Sequence, residues 1–246
     1  MNNSLQNKIA VVTGASRGIG RAIAISYADN GAKVCCLSRS QSEVDDTAAY
    51  INKNNGNAIA LTCDVSNYND LERVFEKAHK VYSGIDIVVI NAGVDFKNAS
   101  VEDSYIENWK AIIDINLTGA YYTAKAAIPY LKKQGGGKII TIGSGLGHKG
   151  RADNAAYSCS KAGLWMLTRV LAQELHQFNI SVNELIPGPV ITAMGDNSMK
   201  DSNSAFSVNS EWVKKPEDVT NLAVFMAAQP LVGPTGQSFS LMRRDL

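Results

Sequence analysis

The sequence predicts an α/β fold, a doubly wound, Rossmann-type parallel sheet of about seven strands with helices on both faces. Three observations predict it. Short apolar runs rich in Val and Ile alternate with longer amphipathic stretches along the whole chain. Most of these runs lack the alternation of a half-exposed strand, which suits strands buried on both faces. A glycine-rich turn, Gly14-x-x-x-Gly18-x-Gly20, follows the first run and opens the first helical pattern.

The strand segments are KIAVVT (8–13), KVCCLS (33–38), AIALTC (58–63), DIVVI (86–90), KIITIG (138–143) and ISVNELI (180–186), with SFSL (238–241) as a seventh. Helical patterns lie between them. The first runs from Ile19 to Asn30 and is closed by Gly31, a residue suited to a helix C-terminus. Others cover 41–54, 67–82, 104–133, 154–178 and 216–228, the last opening on Pro216, Glu217 and Asp218. With no linker, repeat or break in composition, residues 1–246 are expected to form one domain. Residues 193–212 are polar and aperiodic, and are expected to form a substrate loop or lid.

Composition narrows the function. A formal net charge of +1 gives no basic face for nucleic acid. No apolar run approaches a membrane span, and the N-terminus MNNSLQNK lacks the apolar core of a secretory signal, so a cytoplasmic protein is expected. The four cysteines and three histidines show no metal-ligand spacing, so no metal is expected. The cysteines, Cys35, Cys36, Cys63 and Cys159, read as reduced thiols in or near the core.

The glycine turn permits close approach of a pyrophosphate to a helix N-terminus, where anions are favoured. Cofactor choice is read at the end of the second strand, where an acid would bind ribose hydroxyls and select NAD. Here the strand ends Leu37-Ser38-Arg39-Ser40. Arg39, with Arg17 from the glycine loop, suits a 2′-phosphate, so NADP(H) is favoured over NAD(H). Tyr157 and Lys161 stand four apart, which puts both on one helix face. A free phenol titrates near pH 10; a neighbouring ammonium lowers that value and makes tyrosine usable for acid-base work. Ser144 ends the fifth strand within the glycine-rich IGSGLGHKG.

Taken in order, these elements resemble the short-chain dehydrogenase/reductase family over nearly the whole chain. The resemblance rests on Thr13-Gly14-Ala15-Ser16-Arg17-Gly18-Ile19-Gly20, Asp64-Val65, Asn91-Ala92-Gly93 and Asn116 in INLTGAYYTAK. It rests equally on Ser144, Tyr157, Lys161 and Pro187-Gly188, with Ser144 and Tyr157 thirteen apart. The resemblance implies an oxidoreductase that interconverts a carbonyl and a secondary alcohol on a small molecule. Tyr157 would give a proton to the carbonyl oxygen, Ser144 would bond the same oxygen, and Lys161 would bind the nicotinamide ribose and lower the phenol's pKa. Asn116 would hold a water linking Lys161 to solvent. Asp64 and Val65 would meet the adenine, Asn91 the adenosine side, and Ile186, Pro187, Gly188 and Thr192 the nicotinamide end. A homotetramer, or a homodimer, is implied, with the helices at 104–133 and 154–178 paired across an interface.

Two departures are informative. The family's Asn-Asn-Ala-Gly is Ile90-Asn91-Ala92-Gly93 here, and the usual C-terminal DGG is replaced by GQSFSLMRRDL. Relatives that reduce 3-oxoacyl groups on an acyl carrier protein use two basic docking positions. These fall here on Gly135 and Phe178, although Lys132, Lys133 and Lys138 lie nearby. Carrier docking depends on electrostatic steering, so a 3-oxoacyl-carrier reductase ranks second. A dinucleotide-binding protein without turnover is a third reading, opposed by the intact Asn116, Ser144, Tyr157 and Lys161.

Overall fold

The computed structural model describes residues 3–96, 99–192 and 212–243. Seven strands form one parallel sheet: β1 (Ile9–Thr13), β2 (Lys33–Ser38), β3 (Asn57–Thr62), β4 (Ile87–Ile90), β5 (Gly137–Ile142), β6 (Ile180–Ile186) and β7 (Ser238–Ser240). Their order is β3-β2-β1-β4-β5-β6-β7. The chain therefore winds outward from β1 in one direction, crosses back after β3, and winds the other way from β4. The carboxyl ends of β1 and β4 flank the crevice at this reversal, where open α/β sheets bind ligands. Every expected strand is present, within a residue of its expected start.

The helices are α1 (Gly18–Asp29), α2 (Gln41–Lys53), α3 (Tyr68–Tyr82), α4 (Ile106–Ile113), α5 (Gly119–Lys133), α6 (Leu146–Lys149), α7 (Ala155–Leu175) and α8 (Thr220–Ala228). Two apolar layers cover the sheet. One packs α1, α2 and α8 against it through Ile23, Tyr27, Val44 and Ala223; the other packs α3, α5 and α7 through Leu71, Phe75, Leu131 and Leu171. Tyr27 joins elements distant in sequence: its ring is fully buried and its hydroxyl donates to the Ala223 carbonyl at 3.0 Å. Burying a side chain of this size stabilises by about 1.5–3 kcal/mol, and the hydrogen bond removes the penalty for the hydroxyl.

The structure corrects three expectations. The helix expected over 104–133 is three pieces: α4, a π-helical turn at Asp114–Thr118, and α5. The segment 216–228 begins as a 3-10 turn over Pro216–Val219 before α8. Cys159 is exposed, unlike the buried Cys35, Cys36 and Cys63. The expected lid at 193–212 lies outside the described residues, apart from Trp212. Beyond it, Ile191 N–H donates to the Lys214 carbonyl at 2.8 Å and Lys214 N–H donates to the Pro189 carbonyl at 3.0 Å, so the chain returns directly onto the segment after β6. No described helix is long and apolar enough to cross a membrane.

Candidate active site

The first half of the site is the turn from β1 into α1. Gly14 has φ +65°, and a Cβ at Gly20 would stand 2.3 Å from the Gly14 carbonyl oxygen. Only glycine at both positions lets the loop close this tightly over the helix. The first turn of α1 carries no acid, so its free N–H groups face the crevice without a competing anion. Ser16 and Ile19 are partly exposed along the same turn, and Thr192 approaches it, with Cγ2 3.4 Å from a Cβ built at Gly18.

Thr13 and Asn91 bind the two flanking strand ends together. The Thr13 hydroxyl oxygen accepts from Asn91 N–H at 2.9 Å and from Ala92 N–H at 3.0 Å, and donates to the Val89 carbonyl at 3.3 Å. Asn91 Nδ2 donates to the Thr13 carbonyl at 2.9 Å and to the Gly14 carbonyl at 3.2 Å. From α2, the buried Thr47 hydroxyl donates to the Ala15 carbonyl at 3.0 Å. Thr13 and Thr47 act by supporting the glycine loop. Thr47 was missed because its partner lies 32 residues away and its own segment reads as ordinary helix.

Arg17 and Arg39 are both exposed, and neither guanidinium has an ion pair or hydrogen-bond partner among the described residues. Ser38 accepts from Ser40 N–H at 3.3 Å, which turns the chain at the end of β2. On the far side of β2, the Asp64 carboxylate accepts from the Ser66 N–H and hydroxyl at 2.9 and 2.7 Å. Its side chain closes the turn before α3, whereas Val65 is buried beneath Gly119. Gly93 abuts Asn116, with a Cβ there 3.2 Å from Oδ1.

The second half of the site gathers Asn116, Ser144, Tyr157 and Lys161. Asn116 sits in the π-helical turn, a feature common at functional positions. Its Oδ1 accepts from Val94 N–H at 2.7 Å, and its Nδ2 donates to the Val94 carbonyl at 2.9 Å and to Ser160 Oγ at 3.1 Å. Its amide thus locks the loop after β4 to α7. Ser144 follows β5, and its hydroxyl hydrogen-bonds the Tyr157 phenol. Lys161 is 5% exposed, and its ammonium donates to the Ile142 carbonyl at 2.8 Å while lying 5.7 Å from the Tyr157 ring centroid.

A further residue of the site, Asp95, gave no signal in the sequence. Asp95, after β4, is partly buried and accepts from its neighbour Phe96 N–H at 2.9 Å and from the Asn154 side chain at the start of α7. Burial raises its pKa, opposed by these bonds and by the charges of Lys161 and Arg151. Burial, and then Asp95, push the Tyr157 phenol up to about 12, while the Ser144 hydrogen bond opposes the rise. The expected lowering of the phenol by Lys161 is therefore not what this geometry produces. The ammonium is committed to Ile142, and burial brings Lys161 itself down to about 8. A phenol held protonated beside a serine hydroxyl is a donor poised to give its proton to an oxyanion.

Pro187 follows β6 and is buried; Gly188 has φ +67° and would place a Cβ 3.3 Å from Lys214 Nζ. Lys214 is fully buried and donates to the Trp212 carbonyl at 2.6 Å, with the Trp212 ring centroid 4.6 Å away. It closes the nicotinamide end expected of Ile186, Pro187, Gly188 and Thr192. Among the described residues no group of three or more His, Cys, Asp or Glu side chains is arranged to hold a metal.

The family model for short chain dehydrogenases matches residues 8–203. A 3-oxoacyl-[acyl-carrier-protein] reductase of Synechocystis sp. is 35% identical over 97% of this chain and 96% of its own length. A short-chain type dehydrogenase/reductase of Picea abies is 36% identical over 91% of this chain and 87% of its own. Among solved structures, a putative NAD(P) dependent gluconate 5-dehydrogenase from Beutenbergia cavernae, with NADP bound at low occupancy, superposes with a TM-score of 0.90. It is 32% identical, and the match covers 98% of this chain and 97% of that one. A short-chain type dehydrogenase/reductase from Mycobacterium marinum superposes with a TM-score of 0.89 at 31% identity, over 97% and 95% of the two chains.

Proposed function

The chain belongs to the short-chain dehydrogenase family and is an oxidoreductase of the kind that binds a nicotinamide dinucleotide, and from that premise we propose that it uses NADP(H) to interconvert a carbonyl and a secondary alcohol on a small molecule. The observation that carries this reading is the convergence of Ser144, Tyr157 and Lys161 at the carboxyl end of β5, with the phenol hydrogen-bonded to the serine. Held at the glycine turn of Gly14, Gly18 and Gly20 with Arg17 and Arg39 toward its 2′-phosphate, NADPH would supply the hydride for the carbonyl carbon in reduction. Tyr157 gives its proton to the oxygen as negative charge develops there, and Ser144 bonds the same atom. Lys161 keeps an ammonium behind the phenol, seated on the Ile142 carbonyl and placed to bind the nicotinamide ribose. Asn116 keeps α7 and the loop after β4 in register, and a water beside it completes the path from Lys161 to solvent.

The preference for NADP(H) is supported by the guanidiniums of Arg17 and Arg39, which have no ion-pair or hydrogen-bond partner among the described residues, and by the absence of an acid at the end of β2. Replacing Arg39 with Ala should weaken NADPH binding by about 10-fold or more, the loss of one charge-assisted phosphate contact, while NADH binding stays within about 3-fold. Fluorescence titration with both cofactors reads this directly. Tighter binding of NADH in the parent, with neither cofactor affected by the substitution, would show that Arg39 does not select the cofactor.

A 3-oxoacyl group on a carrier protein is the second reading, favoured by the Synechocystis relative. Of the three lysines near the docking positions, Lys138 is buried and bonded to Ser181 Oγ at 2.9 Å, and Lys132 lies 3.6 Å from the Phe178 ring centroid. The remaining basic surface is small, which keeps a free small-molecule substrate first. We further place the enzyme in the cytoplasm, as one domain assembled into a homotetramer or homodimer. Exposed Tyr105, Ile106, Trp109 and Tyr121 around α4 and α5, and Met166 and Val170 on α7, supply apolar surface for that pairing.

A further inference from the structure

Strand β6 carries a residue that this reading does not use. All seven of its positions are buried, and one of them is Glu184, 0% exposed. A carboxylate in such a strand is costly unless other groups hold it. Three features are built around this one. His148 Nε2 lies 3.0 Å from Oε2, and Ser238 Oγ donates to the same oxygen at 2.6 Å. Position 143 is glycine, and a Cβ there would stand 1.8 Å from Oε1. That oxygen is buried and has no hydrogen-bond partner among the described residues. Four places in the chain, namely the end of β5, α6, β6 and β7, therefore converge on one carboxylate.

The carboxylate lies behind Lys161. Gly143 follows Ile142, whose carbonyl receives the Lys161 ammonium. The charged or titratable groups around that ammonium are Glu184 from β6, Asp95 from the loop after β4, and Tyr157 on its own helix. Arg151 lies near Asp95, and His148 from α6 faces Glu184. The two acids differ in effect. Asp95 stabilises the lysine's charge but also raises the phenol, whereas Glu184 supports the lysine more strongly and is no cause of the phenol's rise.

We propose that Glu184 is a positioning residue of the active site: oriented by His148 and Ser238, its buried carboxylate is the counter-charge that keeps the Lys161 ammonium protonated and seated behind Tyr157. The proposal rests on the assignment of Tyr157 and Lys161 to the reaction. Burial draws Lys161 down, and it stays at about 8 with Glu184 and then Asp95 opposing the fall, so removing the Glu184 charge should bring the lysine lower still.

The test is the pH dependence of kcat for Glu184→Gln. This substitution preserves shape against Gly143 and removes the charge. The assay uses NADPH and a ketone that the parent reduces, drawn from aliphatic ketones, diketones and 3-oxo thioesters. The basic limb of the profile should move down by about one pH unit or more, the scale of a nearby opposite charge. The loss, about 5-fold at pH 8 for a one-unit shift and approaching about 10-fold above it, should shrink as the pH is lowered. Ser238→Ala, which leaves the carboxylate but removes one donor, should shift the limb the same way by less, and decides the matter if Glu184→Gln does not fold. A folded variant with the parent's basic limb, or with an equal loss at every pH, would overturn the proposal. Tyr157→Phe is measured alongside: if it retains turnover, the Tyr157 assignment fails; if it is inactive while the Glu184→Gln limb stays put, only the role of Glu184 fails.

Discussion

Tyr157→Phe should lower kcat by about 10²–10⁴-fold, the usual contribution of a positioned general acid, with NADPH affinity changed by no more than about 3-fold. The substitution removes one hydroxyl from a side chain whose ring packs beside Lys161, so the cofactor side of the site keeps its shape. The hydroxyl's partner, Ser144, keeps a second contact in the N–H of Leu146, which donates to its Oγ at 3.2 Å. The loss should therefore fall on the chemical step. Steady-state kinetics together with a binding titration separate the two: a kcat near the parent's would remove Tyr157 from the mechanism. A matched loss of cofactor binding would instead mark it as a structural residue.

The second large effect belongs to Thr13, which touches the strand ends and no part of the reacting centre. Thr13→Val preserves volume but deletes the oxygen that receives both Asn91 N–H and Ala92 N–H. A buried donor left without a partner costs about 1–3 kcal/mol, so two predict a loss of about 2–6 kcal/mol in stability. For a chain of this length that lowers Tm by roughly 4–24 °C. Asn91 is the same residue that reaches across to Gly14, so a displaced Asn91 should also weaken cofactor binding. Thr13→Ser, which restores the oxygen, should recover most of both. Thermal unfolding of the two variants measures the difference, and equal stability of Val and Ser would show that the hydroxyl does not join β1 to β4.

What could be read from the sequence followed from local signals. KIAVVT, KVCCLS and DIVVI are dense in Val, Ile and Cys, and a strand buried on both faces leaves this signature without help from context. The glycine turn was legible for a similar reason, since the spacing Gly14, Gly18, Gly20 reflects a backbone that passes close to itself and to Asn91. The π-helical turn was not legible. Residues 106–133 keep a helical apolar pattern throughout, and the π-helical turn at Asp114–Thr118 comes with a tertiary contact, Asn116 to Val94, that no local pattern records. Short α6 was hidden by the glycines around it, because GLGHKG reads as a turn until Glu184 and Trp165 position His148.

The acids of the site show the same limit. Asp64 drew notice by its place after β3, yet its carboxylate closes a local turn, as aspartate often does. Asp95 and Glu184 drew none, although a glutamate inside ISVNELI was a visible anomaly: a charge in a run that otherwise reads as buried on both faces. The sequence could have raised the question of what pairs with it. The answer required His148, 36 residues away, and Ser238, 54 residues away.

The central claim, that this chain moves hydride between NADPH and a carbonyl carbon, is tested most directly by isotope transfer. Protein is incubated with NADPH deuterated at C4 of the nicotinamide and a panel of aliphatic ketones, diketones and 3-oxo thioesters, and the products are analysed by mass spectrometry. The account predicts an alcohol carrying one deuterium on the carbinol carbon, formed faster with NADPH than with NADH and lost in Tyr157→Phe. Tight NADPH binding with no deuterated alcohol from any member of the panel would contradict it and point instead to a dinucleotide-binding protein without turnover.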